Sequence, residues 1–162
     1  MKKYIILLSI VITLSASAED LSIGRIVNKT GRLKKSNISC NSDNCISDAF
    51  LVYPGDRIIT SNKSEAEIIL NDGTALKIYE KSDVIIFNII NTDDKTLTTA
   101  YSDYGKFKII QKNNFLNASL LFKTRTAVIK SVCASMSIIS GKNENGIFVY
   151  NGEAGFANID PS

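Results

Sequence analysis

The chain has no histidine, no tryptophan and only two prolines among its 162 residues. Without His there is no Ser-His or Cys-His nucleophile pair, no imidazole general base and none of the usual zinc ligand sets. Without Trp, the largest ring available for stacking on a sugar is missing. Long Ala/Leu/Glu/Lys runs with helical spacing are missing too, so nothing in the pattern supports a helical core. Calcium lacks a complete loop: "NSDN" and "NTDDK" are too short to supply six oxygen ligands. These absences point to a chain that is not an enzyme and carries no cofactor or metal.

Strong charge of one sign is also lacking. The formal net charge is +3, and it falls further if the first residues are removed. "MKKYIILLSIVITLSASAED" reads as a secretory signal: Lys2 and Lys3 form the positive region and Tyr4 to Leu14 the apolar stretch. Ala16 and Ala18 supply the small residues that a signal peptidase requires before Glu19. The apolar core falls well short of the ~20 residues needed to span a bilayer. No Cys follows it, which argues against a lipid anchor. Cleavage after Ala18 defines a signal peptide, residues 1–18, and a single domain, residues 19–162, of an exported protein, periplasmic or otherwise extracytoplasmic. Losing Lys2 and Lys3 takes the 19 basic residues to 17 against 16 acidic, a net charge of +1. A nearly neutral surface is a poor match to nucleic acid, whose binding depends on clustered Lys and Arg. The one basic cluster, Arg32 to Lys35, reads as a solvated loop or strand edge.

Three cysteines remain. Cys40 and Cys45 enclose a polar loop in a chain that leaves the cytoplasm, and are a candidate disulfide worth about 2 kcal/mol for so short a loop. The alternatives are two free thiols or half of a zinc site with no second half. Cys133, in "SVCASMSII", reads as a small hydrophobe on a half-buried strand. As a nucleophile it would need a base, and strict alternation puts Lys130 on the opposite face.

What is abundant is Ile, Val, Thr, Phe and Tyr, in short runs punctuated by Gly, Asn, Asp and Ser. So many candidate strands predict an all-β domain. Around Asn71-Asp72-Gly73, a three-residue loop pairs Ile68 with Leu76 and Ala66 with Ile78, which keeps one face apolar. It also sets Glu67 opposite Lys77 and leaves Gly73 at the left-handed turn position. Gly55 and Asp56, after Pro54, read as a second turn. Asp56 and Asp72 are thereby assigned to turning the backbone rather than to a paired-carboxylate site. "GRIVN", "GKFKII", "GIFVY" and "GEAGF" each lead from Gly into an apolar strand, which suggests similar short strands joined by tight corners.

The run Leu51 to Thr60, Ser64, Ala66 to Leu70, Asp72-Gly73-Thr74 and Ser82-Asp83-Val84, preceded by Gly24-Arg25-Ile26, resembles the FecR domain. Tyr104 to Phe107 and Phe148 to Phe156 are similar to that family's middle and closing strands, so the resemblance covers most of the chain. It departs at the family's Thr-Pro-x-Ala-Val and Val-Arg-Gly-Thr segment. Here Thr124-Arg125-Thr126-Ala127-Val128 lacks the Pro, Val132-Cys133-Ala134 replaces Arg-Gly-Thr, and Met136 stands where an aromatic is usual. The resemblance implies a compact twisted β-solenoid-like or β-sandwich domain. It also implies a stand-alone binding or scaffold module meeting envelope proteins, with a role in extracytoplasmic sensing. The alternative is a module for peptidoglycan or another envelope glycan, using Tyr79, Tyr101, Tyr104 and Tyr150. N-terminal sequencing of the protein exported from a bacterial host is expected to begin at Glu19; a mature chain starting at Met1 would refute the cleavage.

Overall fold

Alternation of apolar and polar residues dominates the chain, and it produces strands throughout. The structure, a computed structural model, describes residues 22–37, 50–92, 95–111, 118–142 and 144–159. The leader with Ala16 and Ala18, and the Cys40–Cys45 pair, lie outside them. The strands are β1 (Gly24–Thr30), β2 (Leu33–Asn37), β3 (Leu51–Val52), β4 (Asp56–Thr60), β5 (Glu65–Leu70), β6 (Ala75–Ile78), β7 (Ser82–Thr92), β8 (Lys95–Ile110), β9 (Ala118–Thr124), β10 (Ala127–Ser140) and β11 (Asn145–Asn158). Among the described residues no helix is long and apolar enough to cross a membrane.

All eleven strands join one sheet that curls over on itself into a half-barrel. One leaf runs β2–β4–β7 and continues through the first half of β8, β9 and the first half of β10. The other runs β3–β1–β5–β6 and continues through the second halves of β8 and β10. β11 edges both leaves along the whole of β10. Every pairing is antiparallel except β8 with β9. The inward residues of both leaves form a single core that includes Ile58, Ile68, Ile78, Val84, Ile86, Ile109, Ile129 and Ile138. The Phe107 and Phe122 rings, one from each leaf, meet at 5.2 Å.

The expected all-β, compact and twisted domain is what forms, but strand lengths differ from the sequence reading. "TLTTAY" and "KFKII" are one continuous strand, as are "AVIKSV" and "SMSIIS", and likewise "GIFVYN" and "EAGFAN". The punctuation between them marks bends within strands rather than turns between them. On β8, Gly105 has φ 141° and sits where the partner changes from β7 and β9 to β6 and β10. On β10 the register slips between Val132 and Ser135, and on β11 Gly152 faces that slip with φ 80°. A Cβ at Gly105 would lie 2.5 Å from the Ser82 Cβ, and one at Gly152 would lie 2.7 Å from the Cys133 carbonyl oxygen. Glycine is the residue that both the angle and the space permit.

Cys133 takes the same role on β10 without being glycine, at φ 49°. The bend is thus made with a side chain held in a strained conformation. The neighbouring Ala134 is secured by Gln111, whose backbone N–H donates to the Ala134 carbonyl and whose Oε1 accepts the Ala134 N–H at 3.3 Å. Ser131 Oγ donates to the same Oε1 at 2.8 Å.

Cys133→Gly is expected to raise stability by up to about 1 kcal/mol, because the left-handed penalty exceeds the added freedom of the unfolded chain. Gly152→Ala is expected to lower it by roughly 1–3 kcal/mol through overpacking. Urea denaturation of both variants checks the pair, and a destabilised Cys133→Gly chain would contradict the bend described.

Candidate docking edge and groove

The Gly/Asp pairs singled out from sequence occupy corners. The β5–β6 register pairs Ile68 with Leu76, Ala66 with Ile78 and Glu67 with Lys77, as alternation predicts. Gly55 and Gly73 have φ of 83° and 78°. Asp72 Oδ1 accepts the Thr74 N–H at 2.8 Å. Asp56 Oδ2 accepts the Tyr53 N–H at 2.9 Å, and its Oδ1 accepts from Asn37 Nδ2 at 2.9 Å. The carboxylates also do something alternation does not reveal. Asp72 Oδ2 accepts from the buried Thr98 hydroxyl at 2.5 Å, tying the hairpin of one leaf to a strand of the other.

Asp56 is buried against the Lys35 ammonium at 3.1 Å. The "RLKK" run does reach an edge strand, β2, but Lys35 within it is not solvated. It points inward from β2, reaches the Leu51 carbonyl as well, and is only 10% exposed. Unmatching one partner of such a pair costs about 3–5 kcal/mol, which makes this corner hard to open. Asp56 and Asp72 thus have separate partners, and neither is tied to the other by a hydrogen bond among the described residues.

Two expectations concerning side chains need correction or placement. Lys130 and Cys133 do not lie on opposite faces. The register slip after Val132 resets the alternation, and both residues line one shallow hollow of about 660 Å³ with Val132, Asn151 and Glu153. Strict alternation holds only along an unbroken ladder. Tyr101, one of the candidate sugar-stacking tyrosines, donates its hydroxyl to Asp103 Oδ1 at 2.6 Å.

The exposed features gather elsewhere. Among the described residues β11 pairs with β10 alone, and over 14 residues it carries one charge, Glu153, with no Lys, Arg or Pro. Phe148, Tyr150 and Phe156 are 63%, 56% and 49% exposed, respectively. Edge strands are normally blunted by charge, proline or brevity. The opposite ends of the sheet show two of these devices, with Lys34 and Lys35 on β2 and only two residues in β3. β11 shows none beyond its bend. Its outer rings are ordered by contacts: Phe148 lies 4.9 Å from Tyr150, Tyr150 Oη is 2.8 Å from Ser137 Oγ, and Lys108 Nζ lies 5.6 Å from the Tyr150 ring centre.

Next to this edge lies an open groove of about 940 Å³. Lys63, Tyr79, Lys81, Tyr104, Lys106 and Ile139 line it, around a floor formed by Ser64, Gly105 and Ser140. Of the four tyrosines expected as candidates for a glycan, Tyr79 and Tyr104 line this groove together. The Tyr79 N–H donates to the Lys106 carbonyl at 3.0 Å, and Ile139 pairs with Lys106 from the other side. The lysines were not singled out from sequence. The signal was present as Lys77-x-Tyr79-x-Lys81 and Tyr104-x-Lys106-x-Lys108, two stretches whose alternate residues share a face.

No family model matches the chain, and no curated protein does either. Among solved structures it is similar to two crystal structures of a "putative anti-sigma factor" from Parabacteroides distasonis, at 15% and 14% identity. Both have a TM-score of 0.42, and the likeness covers 65% of this chain and 60% of each of those.

The Asp103 hydrogen bond, with a smaller contribution from burial, raises the Tyr101 pKa above that of an ordinary phenol. The bond therefore stabilises the fold below the usual phenol range of about 10, and that contribution is lost as pH rises through the raised value. Spectrophotometric titration should show one late-ionising tyrosine, and Asp103→Asn should bring its midpoint down. An unchanged titration curve in that variant would rule out the assignment.

Proposed function

We propose that the protein is an exported, FecR-like binding module that meets a protein partner of the cell envelope by strand addition to β11. It performs no chemistry of its own. The observation that carries this reading is the long, nearly uncharged, aromatic-bearing edge of β11. Such an edge presents a row of backbone donors and acceptors, and a partner strand satisfies them while its side chains read the flanking pockets. Phe148 and Tyr150 flank the edge on the outer face. Phe156 lies opposite Ile129, a core residue, and so belongs to the inward face. An added strand would meet rings on both of its sides.

The FecR resemblance supports the same reading, since that family's exported portions act through contacts with other envelope proteins. The absence of His, the turn and ion-pair roles of Asp56 and Asp72, and the strained placement of Cys133 on a bend all agree with a non-catalytic module. A photo-crosslinking residue at position 149 should trap a distinct envelope protein in intact cells. Phe148→Lys with Phe156→Lys should reduce that adduct by about tenfold, since edge lysines oppose strand addition. No adduct, or an adduct only with a second copy of this chain, would reject the reading.

A further inference from the structure

We propose that the groove beside β11 binds a carboxylated glycan, with Tyr79 and Tyr104 as ring platforms and Lys63, Lys81 and Lys106 as the cations that hold its acid groups. This site is separate from the β11 edge and stands or falls without it.

The charge distribution comes first. Among the described residues, none of the Lys63, Lys81 and Lys106 ammonium groups takes part in an ion pair or ring contact. The two carboxylates on the same groove are already engaged. Glu65 is 2.7 Å from Lys77 Nζ, and Glu80 accepts the Lys63 backbone N–H at 2.6 Å.

Ring geometry comes next. The Tyr79 N–H donates to the Lys106 carbonyl at 3.0 Å, and Tyr104, on the other side of the Gly105 bend from Lys106, lines the same groove. Tyr104 is 45% exposed, and Ile139, beside Lys106, is 51% exposed. Phenol rings and an aliphatic side chain interleaved with ammonium groups match a ligand that is itself amphipathic, with apolar ring faces and acidic edges.

An acidic peptide is disfavoured because the strand residues around the groove already spend their backbone groups in the sheet, leaving no ladder to extend. A nucleic acid is disfavoured because it carries a charge on every residue, and Glu65, Glu67 and Glu80 lie on or beside the path. A polymer with sparser carboxylates suits that mixture, and its hydroxyls can donate to the glutamates.

Because the chain has no Trp, its intrinsic fluorescence comes from its six tyrosines, two of which line the groove. The full-length protein should show altered tyrosine emission and retarded migration with hyaluronan oligomers, a soluble glycan with one carboxylate per disaccharide. The same oligomers after carboxyl reduction should bind at least about tenfold more weakly. Tyr104→Ala, and separately Lys81→Gln with Lys106→Gln, should each weaken binding by about tenfold, while Tyr104→Phe retains it. All these side chains are exposed, and circular dichroism will show the variants folded. The β11 variant with Phe148→Lys and Phe156→Lys should bind hyaluronan undiminished, which separates this site from the docking edge. Absence of binding, equal binding of polyglutamate, tighter binding of single-stranded oligo-dT, or unaltered affinity in the variants would each overturn the proposal.

Discussion

The structure depends on bending three long strands where they pass from one leaf to the other. A sheet of this length has an apolar face too large to leave in water, and the only cover available in an all-β chain is the sheet itself. Folding it over requires each continuing strand to turn sharply while keeping its backbone paired. Gly105 on β8, Cys133 on β10 and Gly152 on β11 make that turn through positive φ. The polar groups released at the bend are recovered by side chains: Gln111 takes the Ala134 N–H, and Ser82 Oγ accepts the Lys106 N–H at 3.0 Å. Remove the bend and the two halves of the core, met at Phe107 and Phe122, never touch.

The buried polar residues are best understood as fittings for this arrangement. Thr60 Oγ1 donates to the Tyr79 carbonyl and accepts the Ser82 N–H at 3.0 Å. Ser64 Oγ accepts the Arg32 N–H at 2.9 Å. Asp83, buried on β7, pairs with Arg57 on β4, and Asp72 joins the leaves through Thr98. Each would be costly to bury alone, and each is satisfied by a group whose own partner would otherwise be water. The Asp, Ser and Thr positions that carry the FecR resemblance are largely these fittings. They describe how the corner is built.

Recognition is instead assigned to surfaces that the fold leaves unfinished. Among the described residues β11 ends the sheet with its outer ladder groups unpaired and its rings exposed, and the neighbouring groove places Lys63, Lys81 and Lys106 beside Glu65 and Glu80. Both features are unusual for a surface with nothing to meet. They differ in chemistry, one offering backbone and aromatic contact and the other charge and ring stacking, so they suit different partners.

Local pattern alone determined a good deal. Alternation gave the strand class, and the Asn71–Gly73 loop gave a register that the hairpin keeps residue for residue, because side-chain parity in an uninterrupted ladder admits no other apolar face. The lack of His settled which chemistries have no residues to run on. Tertiary structure decided everything that depends on crossing between leaves or on interrupting a ladder. Thr98 as the partner of Asp72, Lys35 as a buried cation, and Lys130 beside Cys133 follow from contacts between residues 3 to 26 apart, set by bends that the sequence marks only as Gly or Cys. The groove was half legible: Lys and Tyr on alternate positions promised a shared face on each strand. Only the order in which β6, β8 and β10 lie side by side brought those faces together.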